Sequence, residues 1–397
     1  MKRSGLFRNV TSLAITFSLV YDISFAGLGT LSTARLAFLF LLLTNVNRLG
    51  IIIKEYGYFL LFMIGVMFFA LVQSFYSHDT TQLSRLFFFI MYCLVSSLLI
   101  NLEVRDSARL QMFLLSSIAF QSLVLIYVFF NPSLKLVLSN YIATGANYGA
   151  ENLYRSFGLT SSSGAALSLI QGLGCGLGLY MLHTGQKRYR WAVLIMTVLC
   201  IFSTIFVGRT GLVVSIIFLA AYVAVSLSIS SIIKYGLVFL FISYFSVGGI
   251  LERNLQSIDG FSTDYFFTWI SEGIQVRDNR TANALMNEQP IPELTLETLL
   301  IGTGTVSIDG QNTSGHDSGY IQSYYSLGLV ITSLFYLFLV HFLKSHFRSR
   351  DNRLLYFLII IMLLLEVKEP FLFKYREGFI IFSLLFSFHR GRYLYLK

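Results

Sequence analysis

Charge is what this chain has least of. Asp, Glu, Lys and Arg together make up 12% of its 397 residues, against 55% that are hydrophobic. So few polar side chains cannot cover a soluble globule of this size, and the composition calls for lipid as a solvent. Apolar runs of about 17–25 residues, the thickness of a bilayer core, recur from end to end and exclude a soluble domain on a single anchor. The alternating pattern of a membrane barrel is missing too, so these runs are expected to be helices, which satisfy their own backbone groups. Cysteine is scarce: Cys93, Cys175 and Cys200 all fall inside apolar runs, which excludes a disulfide framework or a CxxC metal site and leaves packing as their role. No HExxH helix, Gly-x-Ser-x-Gly elbow or cysteine–histidine cluster of metal spacing occurs, so hydrolase and metalloenzyme readings lack support and neither metal nor cofactor is expected.

What is present is a basic balance, +9, spread over short hydrophilic gaps rather than gathered on one face. That spread points to membrane topology and not to nucleic acid. The first apolar run leads on into further runs without a small-residue cleavage site, and reads as a span rather than a removed signal peptide. Hydrophobic periodicity places spans at roughly 10–28, 30–47, 56–76, 84–102, 110–130, 161–183, 191–207, 211–230, 235–251, 318–343, 354–368 and 376–389. The expectation is thus an all-α polytopic membrane protein of about twelve transmembrane helices, one transmembrane domain over residues 1–397.

Alternate gaps carry the cations: Lys2, Arg3 and Arg8; Arg48 and Lys54; Arg105 and Arg109; Lys187, Arg188 and Arg190; Lys234; Lys344, Arg348, Arg350 and Arg353; Arg390, Arg392 and Lys397. By the positive-inside rule these gaps, and both termini, face the cytoplasm. The opposite gaps are poorer in Lys and Arg: a tight turn at Gly27–Gly29, Ser77–Gln82, an irregular loop over 131–160, a tight turn at Gly208–Gly211, a large loop over 252–317, and the stretch around Glu369. The large loop falls between the ninth and tenth spans. It carries an aromatic stretch, Tyr265–Ile270, suited to lying at the interface, and a second apolar run at Leu294–Ile301.

Two outer positions draw attention. Arg209, in Gly208-Arg209-Thr210-Gly211, is a guanidinium wedged between long apolar runs. It reads either as a cation snorkelling to the interface or as a fork for phosphate. His316-Asp317-Ser318-Gly319-Tyr320 closes the large loop where the chain re-enters the membrane; a neutral imidazole there can take a proton near pH 7, and Asp317 adds a carboxylate. Arg155, Arg277 and Arg280 are further outer cations, either solvated and paired with loop carboxylates or converging with Arg209 on a negative headgroup. Tyr320 and Tyr324 belong to an aromatic belt, or stack on sugar rings. Gly302-Thr303-Gly304 is a fragment of a phosphate-binding loop without the full spacing. Asp22 and Arg35 stand out as charges within apolar runs.

The succession Leu299-Leu300-Ile301-Gly302-Thr303-Gly304, His316-Asp317-Ser318-Gly319-Tyr320-Ile321 and Tyr325-Ser326-Leu327-Gly328-Leu329 resembles the late outer loop and following span of O-antigen polymerases, the Wzy class, which are related to O-antigen ligases. Arg155-Ser156-Phe157-Gly158-Leu159 leading into a small-residue helix, and Arg209-Thr210-Gly211-Leu212 at an outer turn, extend the resemblance. It implies a GT-C-like membrane glycosyltransferase with a large periplasmic loop in a bacterial inner membrane, without cofactor or metal. It also implies undecaprenyl-diphosphate-linked oligosaccharide as substrate and a chain-length regulator as partner. Arg209 would stabilise the leaving diphosphate, His316 would take the acceptor proton with Asp317 adding a carboxylate at the same catalytic corner, and Arg155, Arg277, Arg280, Tyr320 and Tyr324 would bind substrate. The rival readings are an O-antigen ligase, using the same donor, and a repeat-unit flippase.

Overall fold

The computed structural model describes residues 2–27, 31–104, 106–142, 155–161, 164–184, 189–226, 291–292, 295–308, 311–346, 353–373 and 375–393. The expected ninth span, the aromatic stretch Tyr265–Ile270, and both Arg277 and Arg280 lie outside these residues. The regular elements of the described chain are helices and one two-stranded hairpin, β1 (Ser307–Ile308) paired antiparallel with β2 (Gln311–Asn312). Among the described residues four helical stretches are long and apolar enough to cross a bilayer: Val46–Ser77, Thr81–Val104, Ser107–Phe129 and Gly164–His183. The count of twelve remains an expectation. Shorter apolar helices occupy Thr33–Thr44, Arg190–Thr204, Arg209–Val223 and Leu329–Ser345.

The helices in chain order are α1 (Lys2–Tyr21), α2 (Thr33–Thr44), α3 (Leu49–Ser77), α4 (Thr81–Phe88), α5 (Ser96–Val104), α6 (Ser107–Phe129), α7 (Pro132–Tyr141), α8 (Gly164–His183), α9 (Arg190–Thr204), α10 (Arg209–Ser226), α11 (Leu296–Leu300), α12 (Gly319–Leu327), α13 (Leu329–His346), α14 (Arg353–Leu365) and α15 (Tyr375–Tyr393). A wide π-helical turn over Phe89–Val95 joins α4 to α5 without a break.

Several boundaries differ from the hydropathy reading, among them the start of α3 at Leu49, which carries helix through the expected gap at Lys54, and three have a local cause. The first run stops at Tyr21, because Asp22 takes a left-handed backbone (φ 40°) and its carboxylate accepts the Ala34 N–H at 3.2 Å, capping α2. The loop expected over 131–160 opens with α7, started by Pro132 in the first turn, where its missing N–H costs nothing. The expected span over 318–343 is two helices broken at Gly328 (φ 82°). A Cβ at Gly328 would lie 2.9 Å from the Ile301 and Leu300 carbonyl carbons, so the break admits a second backbone where a continuous helix would exclude it.

The chain falls into two compact units, Met1–Leu36 with Gln111–Asn279, and Ala37–Leu110 with Arg280–Lys397. In the first, α8 is a helix of small residues used on two sides. A Cβ at Gly172 would come 2.9 Å from the Gly211 carbonyl of α10, and one at Gly176 would meet the Phe218 ring at 2.6 Å. On the other side a Cβ at Gly174 would stand 3.0 Å from Cys200 of α9. Such close backbones are how helices associate in lipid, where burial of apolar surface gives no drive. At the centre the Gln171 amide accepts from Ser122 (2.6 Å) and Ser203 (3.2 Å) and donates to the Tyr21 hydroxyl (3.0 Å), so all members of this buried network are satisfied.

In the second unit α15 packs on α5 through Ser97 to the Phe379 carbonyl (3.1 Å) and Asn101 to the Ser383 carbonyl (3.0 Å). Stacked rings join α3 to α13, with Phe59 and Phe342 centroids 3.8 Å apart. Cys93, Cys175 and Cys200 are all buried thiols.

Candidate functional site

In the second unit the candidate residues gather where α3 turns into α4 and the chain returns into α12. His78 closes α3 in the left-handed region (φ 57°), and the Asp79 carboxylate behind it accepts three backbone N–H groups: Thr81 at 2.8 Å, Val306 at 2.6 Å and Ser307 at 3.0 Å. Burial alone would push this carboxyl up, but those hydrogen bonds outweigh it and hold Asp79 below the ordinary carboxylate range. Asp79 is thereby the peg on which the β1–β2 hairpin hangs.

Gly302-Thr303-Gly304 lies beside this peg and serves packing rather than phosphate. The Thr303 N–H donates to the Tyr325 carbonyl at 2.8 Å and the Gly304 N–H to the Ser326 carbonyl at 3.0 Å, so both amides are used by the end of α12. Gln73 donates to the Ile301 carbonyl and, at 3.0 Å, to that of Ser326. The motif and Tyr325-Ser326-Leu327-Gly328 are therefore two halves of one backbone contact.

His316 is 4% exposed. Its carbonyl accepts from Asn312 Nδ2 (2.6 Å), Ser314 Oγ (3.1 Å) and Gln322 Nε2 (3.2 Å), and its ring Nδ1 accepts the Ser318 N–H at 3.0 Å. With Nδ1 taken as acceptor, the hydrogen-bond network assigns the proton of a neutral ring to Nε2, and the ring presents a donor. Asp317 is exposed, and its carbonyl accepts from Gln322 at 3.1 Å. The two tyrosines are engaged by the protein: Tyr320 Oη donates to the Leu363 carbonyl (2.8 Å) with its ring 4.7 Å from that of Tyr336, and Tyr324 Oη donates to the Pro292 carbonyl (2.6 Å).

Beneath this corner lie charges that the sequence reading passed over. Glu366, just past α14, is 1% exposed; it accepts from Tyr336 Oη at 2.9 Å and from the Leu372 N–H at 2.7 Å. Its carbonyl accepts the Gly319 N–H (2.9 Å) and Ser318 Oγ (3.4 Å). A Cβ at Gly319 would collide with the Glu366 carboxylate and come 2.6 Å from Pro370 Cα, so the Gly of His-Asp-Ser-Gly-Tyr is required by Glu366. Arg85 of α4 donates to Gln322 Oε1 at 3.0 Å and stands within electrostatic reach of Glu366, Asp79 and Tyr336. Arg85 and Glu366 were legible in one respect: each is a charge at the edge of an apolar run.

The first unit holds Arg155 and Arg209. The segment from Arg155 to Ser161 docks residue by residue: the Ser156 N–H on the Phe206 carbonyl (2.8 Å), Ser156 Oγ on that of Leu125 (3.0 Å), the Leu159 N–H on Gln121 Oε1 (3.3 Å), Ser161 Oγ on the Asp22 carbonyl (2.8 Å). The first of these ties Arg155 close to the turn that precedes Arg209, the first residue of α10. Both arginines are half-buried. A third cation sits here: Lys135 of α7 is 4% exposed and donates to the Arg155 carbonyl at 2.8 Å, and burial pushes its ammonium down to about 8.

The chain matches no protein-family model, no curated protein and no solved structure.

The structure thus brings Arg155, Arg209 and Lys135 to one end of the first unit, and His316, Asp317, Tyr320 and Tyr324 to one corner of the second. Among the described residues no group of three or more His, Cys, Asp or Glu side chains is placed to hold a metal ion.

Proposed function

We propose that this chain is a membrane-embedded glycan polymerase of the O-antigen polymerase type. It transfers a growing oligosaccharide from undecaprenyl diphosphate to a hydroxyl of an incoming lipid-linked repeat unit, at the outer face of a bacterial inner membrane. The observation that carries the reading is His316: buried, held at its carbonyl by three donors and at Nδ1 by a fourth, at the point where the chain enters α12. A residue whose backbone is held by three donors and whose ring is held by a fourth at a helix entrance suits a preorganised site.

In the transfer, the bond between the sugar anomeric carbon and the diphosphate oxygen breaks as the acceptor oxygen bonds to that carbon. The diphosphate leaves as an anion and the acceptor hydroxyl loses its proton. With its proton on Nε2, His316 acts as a donor to a sugar oxygen, and the exposed Asp317 beside it takes the acceptor proton. In the first unit, Arg209 and Arg155 are the cations suited to an anionic group.

The experiment is the surface-glycan ladder of a deletion strain complemented with the native chain, His316→Ala or Arg209→Ala. Collapse to a single repeat unit, rescued only by the native chain, supports polymerisation; normal chain lengths at normal protein levels in both variants overturn it. Long chains stranded on the lipid carrier would instead indicate the ligase.

A repeat-unit flippase is the second reading, favoured by one observation: Arg85 and Glu366 place charge within apolar helical surroundings, as transport pathways do. Its signature is repeat units retained on the cytoplasmic leaflet.

A further inference from the structure

We infer that Arg85, Glu366 and Gln322 form a buried positioning device that holds the His316–Gly319 turn in place. The inference rests on the proposed function only in naming His316 as a site residue. Arg85 itself is a poor candidate for binding an anionic substrate, because two carboxylates, Asp79 and Glu366, already act on it. A charge buried and balanced in this way is costly to keep, and apolar residues would fill the same volume at no loss of stability. Its use must be sought in what it holds.

What it holds is the Gln322 amide. Gln322 Oε1 accepts from Arg85 Nη1 at 3.0 Å, while Nε2 donates to the carbonyls of His316 (3.2 Å) and Asp317 (3.1 Å). Only one orientation of the amide works. Turned over, its NH2 would face the guanidinium and its oxygen would face two carbonyls. The guanidinium therefore sets the amide, and the amide sets the carbonyls on either side of the His316–Asp317 peptide.

Glu366 grips the same turn from its other end. Its carbonyl accepts from the Gly319 N–H and Ser318 Oγ, and the Ser318 N–H in turn donates to His316 Nδ1. The chain of bonds runs from Arg85 through Gln322 to the His316 backbone, and from Glu366 through Ser318 to the His316 ring. Both ring orientation and tautomer follow from these two grips. Gln322, Arg85 and Glu366 are thus positioning residues, acting through His316.

The test uses the purified full-length chain with Gln322→Glu, which is nearly isosteric. It keeps an acceptor for Arg85 but sets a carboxylate against the His316 and Asp317 carbonyls. Hydrogen exchange at the Ser318 and Gly319 amides is read first, since it does not depend on what the protein does. The expected result is a loss of protection of about tenfold or more, with exchange elsewhere in α3 and α15 unchanged. Transfer from a lipid-linked repeat unit is read second: kcat falls about tenfold or more while KM for the donor stays within about twofold, the mark of lost positioning. Native protection at Ser318 and Gly319 in Gln322→Glu overturns the inference whatever the activity. Loosened exchange with native kcat upholds the device and overturns the role of His316 in the proposed reaction. If Gln322→Glu fails to accumulate, Arg85→Lys is measured the same way; it retains the charge and shortens the reach to Gln322, and native protection there overturns the inference equally.

Discussion

Replacing Gly211 by alanine tests how closely the cation at the head of α10 is tied to the packing of α8. A Cβ at Gly211 would overlap the Ser168 carbonyl group, with Ser168 Cα only 3.0 Å away. Both obstacles are backbone atoms of a helix and cannot rotate aside. To restore ordinary van der Waals distance the two helices must part by about 1.5 Å at this level. The parting would also stretch the bond from the Gly211 N–H to Ser168 Oγ, now 3.0 Å, and open the Gly172–Gly211 approach. Overpacking of this kind costs about 1–3 kcal/mol, and the loss of neighbouring contacts brings the expected total to about 3–5 kcal/mol. Gly65 in α3 supplies the control, since a Cβ there meets nothing within 4 Å. Gly65→Ala should be neutral or gain about 0.5–1 kcal/mol from helix propensity. The assay is reversible unfolding of both variants in mixed micelles, with the surface-glycan ladder read in parallel. Arg209 lies two residues before Gly211, so Gly211→Ala should also shorten the ladder. Equal stabilities for the two variants would refute the argument that the α8–α10 approach is a backbone contact.

Asp79→Ala leaves three N–H groups without their acceptor and should destabilise the second unit by about 2–4 kcal/mol, measured by the same unfolding assay. Because the folded Asp79 carboxyl is held below its ordinary range, its contribution is present above the unfolded value of about 3.9 and is lost as pH falls through the folded value; the gap between native chain and Asp79→Asn should close in that acid window. Lys135 has the opposite sign: its folded ammonium is pushed down to about 8, so its charge penalises the folded state below that pH. The penalty is relieved as pH rises toward the unfolded value of about 10.4. Melting temperatures of the native chain should therefore climb relative to Lys135→Met across this alkaline window, and parallel curves would count against it. Arg48 and Glu103 stand 3.9 Å apart on half-exposed side chains, and Glu103→Gln should change stability by less than about 0.5 kcal/mol.

Several motifs that stood out in the sequence for chemical reasons turned out to have mechanical ones. Gly302-Thr303-Gly304 looked like a phosphate loop because glycines at that spacing free backbone amides; here the amides go to α12, and Gly302 makes room for Gly328. The Gly of His-Asp-Ser-Gly-Tyr seats Glu366, some fifty residues away in a different apolar run. Arg155-Ser156-Phe157-Gly158-Leu159 uses polar groups of Ser156, Phe157 and Leu159 to dock the segment against α6 and the α9–α10 turn. Short motifs show which backbone positions are special, but whether a ligand or another helix fills the space depends on residues far off in the chain.

What the sequence determined by itself was the solvent and the helices: hydrophobicity sustained over bilayer-length runs depends on neighbours in the chain, as does the 3.6-residue backbone period. Hence the four helical stretches long and apolar enough to cross a bilayer each overlap an expected span, though Val46–Ser77 also runs through an expected gap. Tertiary structure decided where helices break, and which charges matter. Gly328 ends α12 because Ile301 must pass it, and Asp22 ends α1 because α2 needs a cap. Arg85, Glu366 and Gln322 look in sequence like unrelated polar residues at the edges of apolar runs. They become one system only when α4, α12 and the end of α14 meet, since a hydrogen bond reaches about 3 Å and the chain separates these residues by tens to hundreds of positions.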